Sequence, residues 1–75
     1  MTMQLVFDDV KQYKRIKEEL TKRSIDYIGM KTKNMLTIIL DVDYLDLEGR
    51  TFEIRQGDKW YDIYILDIKS FKLDK

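Results

Sequence analysis

The sequence predicts an α+β domain in which a single helix packs on a mostly antiparallel sheet of four to five strands, in the order β-α-β-β-β-β. Two periodicities and one bound carry this expectation. Apolar residues recur at helical spacing over residues 10–23, and elsewhere they alternate with a period of two. The bound is length: 75 residues leave room for one domain, spanning 1–75. A chain of this size buries only about 60% of the surface its unfolded form exposes. It contains no cysteine and no histidine, so neither a disulfide framework nor an ordinary zinc site can support it. Packing, alone or with self-association, has to supply the stability. The apolar share of 44% is sufficient for a compact core.

The elements follow in order. Met3–Phe7 reads as a short first strand. Asp8 and Asp9 offer a helix N-cap, and Asp9 with Gln12 has capping-box spacing. Val10, Tyr13, Ile16 and Leu20 then form one stripe of a helix that runs to about Arg23. Ile25, Tyr27 and Ile28 suggest a strand ending near Lys31, with a turn at Thr32-Lys33-Asn34. Met35–Tyr44 is the strongest strand pattern, with Leu36, Ile38, Leu40 and Val42 on one face and an acidic end on the other. A turn at Glu48-Gly49 leads to Thr51–Arg55, where Phe52 and Ile54 point inward and Glu53 outward. Gly57-Asp58 is a two-residue hairpin signal, and Trp60–Leu66 pairs back. The alternation slips between Ile68 and Phe71, which suggests a bulge or a 3₁₀ turn, before a last short strand at Phe71 and Leu73. The late slip and short strands also allow an alternative, a helix attached to a small SH3-like or Sm-like barrel.

Residues Met1 to Val10 lack the charge, apolar run and cleavage site of a secretory signal. No stretch approaches the roughly 20 apolar residues that cross a bilayer. The expectation is a cytoplasmic protein with no membrane partner. The lack of alanine and proline, with abundant Lys, Asp and Ile, suggests an AT-rich coding source such as a low-GC bacterium or its phage.

Catalytic chemistry has little to draw on. The only serines, Ser24 and Ser70, sit outside any elbow-type motif, and without histidine their activating base would have to be a lysine or a carboxylate. No catalytic residue, cofactor or metal site is assigned, and the chain is expected not to be an enzyme. Asp41, Asp43, Asp46 and Glu48 crowd into eight residues, yet an EF-hand count from Asp41 places Leu45 at position 5, Asp46 at the glycine position and Phe52 at position 12.

Net charge is zero but unevenly placed: residues 1–34 hold eight Lys/Arg against five Asp/Glu, and residues 35–75 hold six against nine. That asymmetry can mean two partner-facing surfaces of opposite sign, or two merely solvated faces. The acidic run beside Tyr44, Trp60, Tyr61 and Tyr64 suggests a protein interface, because aromatic anchors dominate binding hot spots. Trp60 and Tyr61 are adjacent on a strand and must face opposite ways. Lys11, Lys14, Arg15 and Lys17, extended by Lys31 and Lys33 if their turn lies beside the helix, form the alternative, a nucleic-acid surface, interrupted by Glu18 and Glu19. The leading expectation is a protein-binding module, a small inhibitor or regulator, with a homo-oligomer subunit as the third reading.

Overall fold

A computed structural model describes residues 1–74. They form β1 (Thr2–Phe7), α1 (Val10–Lys22), β2 (Ile28–Lys31), β3 (Leu36–Asp41), β4 (Tyr44–Glu48), β5 (Thr51–Gln56), β6 (Lys59–Tyr64), a 3₁₀ turn (Ile65–Asp67) and β7 (Ser70–Asp74). This is the expected α+β class, with seven strands in two antiparallel sheets where one sheet was expected. The first sheet has the order β2-β3-β1-β7 and the second β4-β5-β6. No helix among the described residues is long and apolar enough to cross a membrane.

The helix begins where the sequence says it should, by a simpler device than a capping box. The Asp9 carboxylate accepts from the Lys11 N–H at 2.8 Å, while Gln12 turns away and accepts from Arg15 Nε instead. The helix ends in a Schellman arrangement: the N–H of Ile25 donates to Leu20 O at 2.9 Å and that of Ser24 to Thr21 O at 3.0 Å. Ser24 takes the left-handed conformation, φ 58°, that this motif demands. Tyr13, Ile16 and Leu20 are buried, but Val10, expected in the same stripe, is 42% exposed. Gly29 on β2 marks a tight approach of helix and sheet, since a Cβ there would sit 3.0 Å from the Tyr13 hydroxyl.

Met3, Leu5 and Phe7 of β1 pair with Leu40, Ile38 and Leu36 of β3 and are buried with them. The helix packs on these two strands, and the Phe7 and Tyr13 rings meet edge to face at 5.7 Å. The second sheet adds Phe52, Ile54 and Ile63 to the same continuous core. Each of these large side chains contributes about 1.5–3 kcal/mol by leaving water.

The strand expected over Met35–Tyr44 breaks at Val42 and Asp43. The Val42 N–H donates to Met1 O and that of Asp43 to Arg55 O, both at 2.8 Å. The chain thereby passes from one sheet to the other, with Val42 buried at the corner. Acidic alternation hid β4, which looked like a wet strand end. The second corner is the 3₁₀ turn, three residues earlier than the slip in alternation suggested, where Ile65 N–H reaches Arg50 O at 2.8 Å. Neither sheet closes into a barrel; β2, β7, β4 and β6 are their edges.

Gln56 ties the first corner together. Its amide Nε2 donates to Asp41 O at 2.8 Å and Asp26 O at 3.0 Å, and its Oε1 accepts from Asp26 N–H at 2.7 Å. Gln56→Ala should lower stability by about 1–3 kcal/mol, read by urea denaturation. An unchanged midpoint would show that water replaces these bonds without loss.

Candidate interaction surface

The register of β4, β5 and β6 sets out the second sheet's two faces. Two-residue turns, each with a glycine in the left-handed region (Gly49 φ 62°, Gly57 φ 64°), fix the pairing. On the inner face lie Leu45, Ile54 and Tyr61 in one row and Leu47, Phe52 and Ile63 in the next. On the outer face the rows are Tyr44–Arg55–Trp60, Asp46–Glu53–Asp62 and Glu48–Thr51–Tyr64. Three carboxylates thus stand directly side by side across three strands, with aromatic residues in the rows before and after.

The rings of this face are open: Tyr44 is 39%, Trp60 51% and Tyr64 57% exposed. Tyr44 and Trp60 nonetheless touch edge to face, centroids 5.6 Å apart. They meet because Arg55, between them, bends toward the hairpin and donates to Gly57 O at 2.6 Å, its guanidinium 5.9 Å from the Trp60 ring. No salt bridge reaches Asp46, Glu48, Glu53 or Asp62 among the described residues. These four and Thr51 line a shallow hollow of about 280 Å³. Like charges directly opposite on neighbouring strands destabilise a sheet. The field is felt nearby: the negative charge of Asp46, then partial burial, then Glu53 and Glu48, hold the Tyr44 phenol above its ordinary pKa. Among the described residues no group of three acidic side chains is arranged to hold a metal ion.

The sequence-derived interface set divides here. Tyr44, Trp60, Tyr64, Asp46 and Glu48 come together on one face. Asp41 is elsewhere, on β3, where it accepts from the Thr2 hydroxyl at 2.9 Å. Asp43 sits in the corner and accepts from the Gly57 N–H at 2.7 Å, so both serve the fold. Tyr61 points inward beneath the Arg23 guanidinium, 4.6 Å from its ring, which answers which of the adjacent aromatics is outside. Glu53 and Asp62 were not singled out, although the Gly57-Asp58 hairpin pairs them by simple counting.

Burial pushes the Tyr61 phenol up, with Arg15 and Arg23 pulling the other way. The folded state therefore resists forming the phenolate, while the unfolded chain ionises near the ordinary value of about 10. The contribution is fully present below that value and is lost as pH rises through the folded pKa. Denaturation midpoints should accordingly fall above about pH 10, and Tyr61→Phe should flatten that fall; identical profiles for the two proteins would overturn it.

The basic residues are also sorted by the fold. Arg15 leaves the set: it bonds Gln12 and Asp67, the latter at 2.6 Å. Arg23 pairs with Glu19, whose carboxyl is held below its ordinary range by that bond. Lys17 lies over the Tyr13 ring, 4.8 Å from its centroid, and Lys14, Lys17 and Lys22 share a hollow with Tyr27. Lys31 and Lys33 line another with Val10 and Lys69, so their turn does lie beside the start of the helix. Lys11, Lys14, Lys17, Lys31 and Lys33 form no salt bridge among the described residues. Ser24 follows the helix C-cap Arg23 in the left-handed conformation, and Ser70 lies on the edge strand β7. Comparison with known proteins finds no matching family model, no matching curated protein and no matching solved structure.

Proposed function

We propose that this chain is a non-enzymatic protein-binding module, a small inhibitor or regulator, that docks the outer face of β4-β5-β6 on a basic surface of a larger protein. The observation that carries this reading is the row Asp46–Glu53–Asp62, framed by exposed Tyr44, Trp60 and Tyr64. Its carboxylates repel one another in the free protein, so a partner that supplies cations gains both attraction and relief of that repulsion. The rings supply apolar area at small entropic cost and suit the centre of such an interface. The absence of cysteine and histidine speaks for binding over chemistry.

Affinity capture from a bacterial lysate, with and without nuclease, tests the reading. One dominant basic protein surviving nuclease is the expected result. Trp60→Ala should then weaken that complex at least about tenfold, as loss of a hot-spot ring does, while Tyr61→Phe leaves it unchanged. Equal affinity of the Trp60 variant and the parent would sink the interface.

A second reading draws on Lys14 and Lys17, which line a hollow beside the helix, and on Lys31 and Lys33, which line another at its start; none of the four forms a salt bridge among the described residues. These could neutralise phosphates of a nucleic acid, an alternative that predicts affinity falling steeply with salt and lost on Lys14→Glu. Capture that vanishes with nuclease would select it over the first.

A further inference from the structure

Two strand edges of this chain complement each other. Thr32 N–H donates to Met35 O at 2.8 Å, and the antiparallel register then turns the backbone groups of Ile28 and Met30 toward β3. The N–H and C=O of Gly29 and Lys31 point outward, on an edge where all four residues of β2 are exposed. In the second sheet, the bond from Ile65 N–H to Arg50 O assigns Arg50, Phe52 and Ile54 to the β6 side, leaving Thr51, Glu53 and Arg55 to bond β4. Their partners Glu48, Asp46 and Tyr44 are thereby occupied, and the backbone groups of Leu45 and Leu47 point outward.

The side chains alternate to match. On β2, Ile28 and Met30 are exposed on one face, at 63% and 45%. Lys31 lies on the other, on the same side as the Lys17 stem that runs over Gly29. On β4, Leu45 and Leu47 share one face, Leu47 being 47% exposed, and Asp46 and Glu48 share the other.

We propose that β2 of one copy pairs in parallel with β4 of a second copy. In the register that sets Gly29 beside Asp46, Lys31 falls beside Glu48, Ile28 beside Leu45 and Met30 beside Leu47. In a parallel ladder an outward residue bonds the two residues flanking its neighbour. Gly29 therefore bonds Leu45 and Leu47 of the second copy, and Lys31 donates to Leu47 of the second copy. An antiparallel pairing of the same edges would set Lys31 against leucine and Met30 against a carboxylate. Pairing of like edges is blocked by the same charges: two β2 edges bring together the Lys17 and Lys31 side chains of both copies, and two β4 edges bring together Asp46 and Glu48. The charges that forbid the symmetric pairs thus select the unsymmetric one. Because each copy keeps one β2 and one β4, the association is head to tail and extends beyond two copies.

This proposal does not depend on the partner reading: Asp46 and Glu48 serve in both, but the backbone edge of β4 is used only here and Trp60 only there. Sedimentation velocity from micromolar to millimolar concentration should show the average mass climbing past that of two copies at low salt. Lys31→Glu and Glu48→Lys should each weaken association about tenfold, the scale of exchanging a cross-strand attraction for a repulsion. Both substitutions in one chain should restore it, while Trp60→Ala leaves it unchanged. A mass of one copy at every concentration, indifference to both single substitutions, or no recovery in the double variant would each overturn the proposal.

Discussion

Phe52→Ala should be the most damaging single substitution in this chain, lowering stability by about 3–5 kcal/mol through lost burial and the cavity left behind. Phe52 is completely buried on β5, and its ring meets that of Phe71 on β7 edge to face at 4.7 Å. It therefore joins the two sheets at a place where no backbone ladder does. A domain of this length has on the order of 4–11 kcal/mol in total, and it has no disulfide to fall back on. Chemical denaturation should show a midpoint collapsed toward zero denaturant. Phe71→Ala supplies the control: that ring is 41% exposed, so its loss should cost well under half as much. Equal losses would mean that the edge-to-face contact, and not burial of Phe52, holds the sheets together.

The residues that were easiest to place were those whose environment repeats. Tyr13, Ile16 and Leu20 recur at helical spacing and share one environment, so the helix was legible. Val10 extends that pattern but lies on the first turn, beside the hollow under Lys31 and Lys33, where the sheet no longer covers it. The corner at Val42 and Asp43 was harder. Leu36, Ile38, Leu40 and Val42 alternate without interruption, and nothing local says that Val42 belongs to a bend. The clue lies just beyond: inward residues are even-numbered up to Val42 and odd-numbered at Leu45 and Leu47. That change of parity is what a strand does when it changes sheets, but the four residues Leu45–Glu48, alternating leucine and acid, read equally well as a solvated end. Without β4 the carboxylate row could not be assembled, even though Glu53 was expected to point outward and the hairpin count pairs it with Asp62. Gln56 left no trace in the sequence at all, because a polar residue at a strand end is ordinary and its three bonds reach residues far along the chain.

Glu53→Lys should move stability and binding in opposite directions. Glu53 stands between Asp46 and Asp62, so the parent carries two like-charge neighbours directly across the ladder and the variant carries two unlike ones. Each such pair is worth roughly 0.2–1 kcal/mol, so the variant should denature at a higher midpoint, with the gain largest at low salt because the face is open to solvent. A carboxylate row kept only to solubilise the sheet would lose nothing by the exchange. A row that receives a basic partner would present that partner with a cation at its centre, and binding should weaken about a hundredfold, since like charges brought together at an interface cost several kcal/mol. Denaturation midpoints and affinity for the captured protein, measured on the same preparation, separate the cases. A more stable variant with weakened binding means that Asp46, Glu53 and Asp62 are held side by side against their own repulsion for the sake of the partner. A more stable variant that binds as tightly as the parent removes the carboxylate row from the interface and leaves the aromatic frame to account for it.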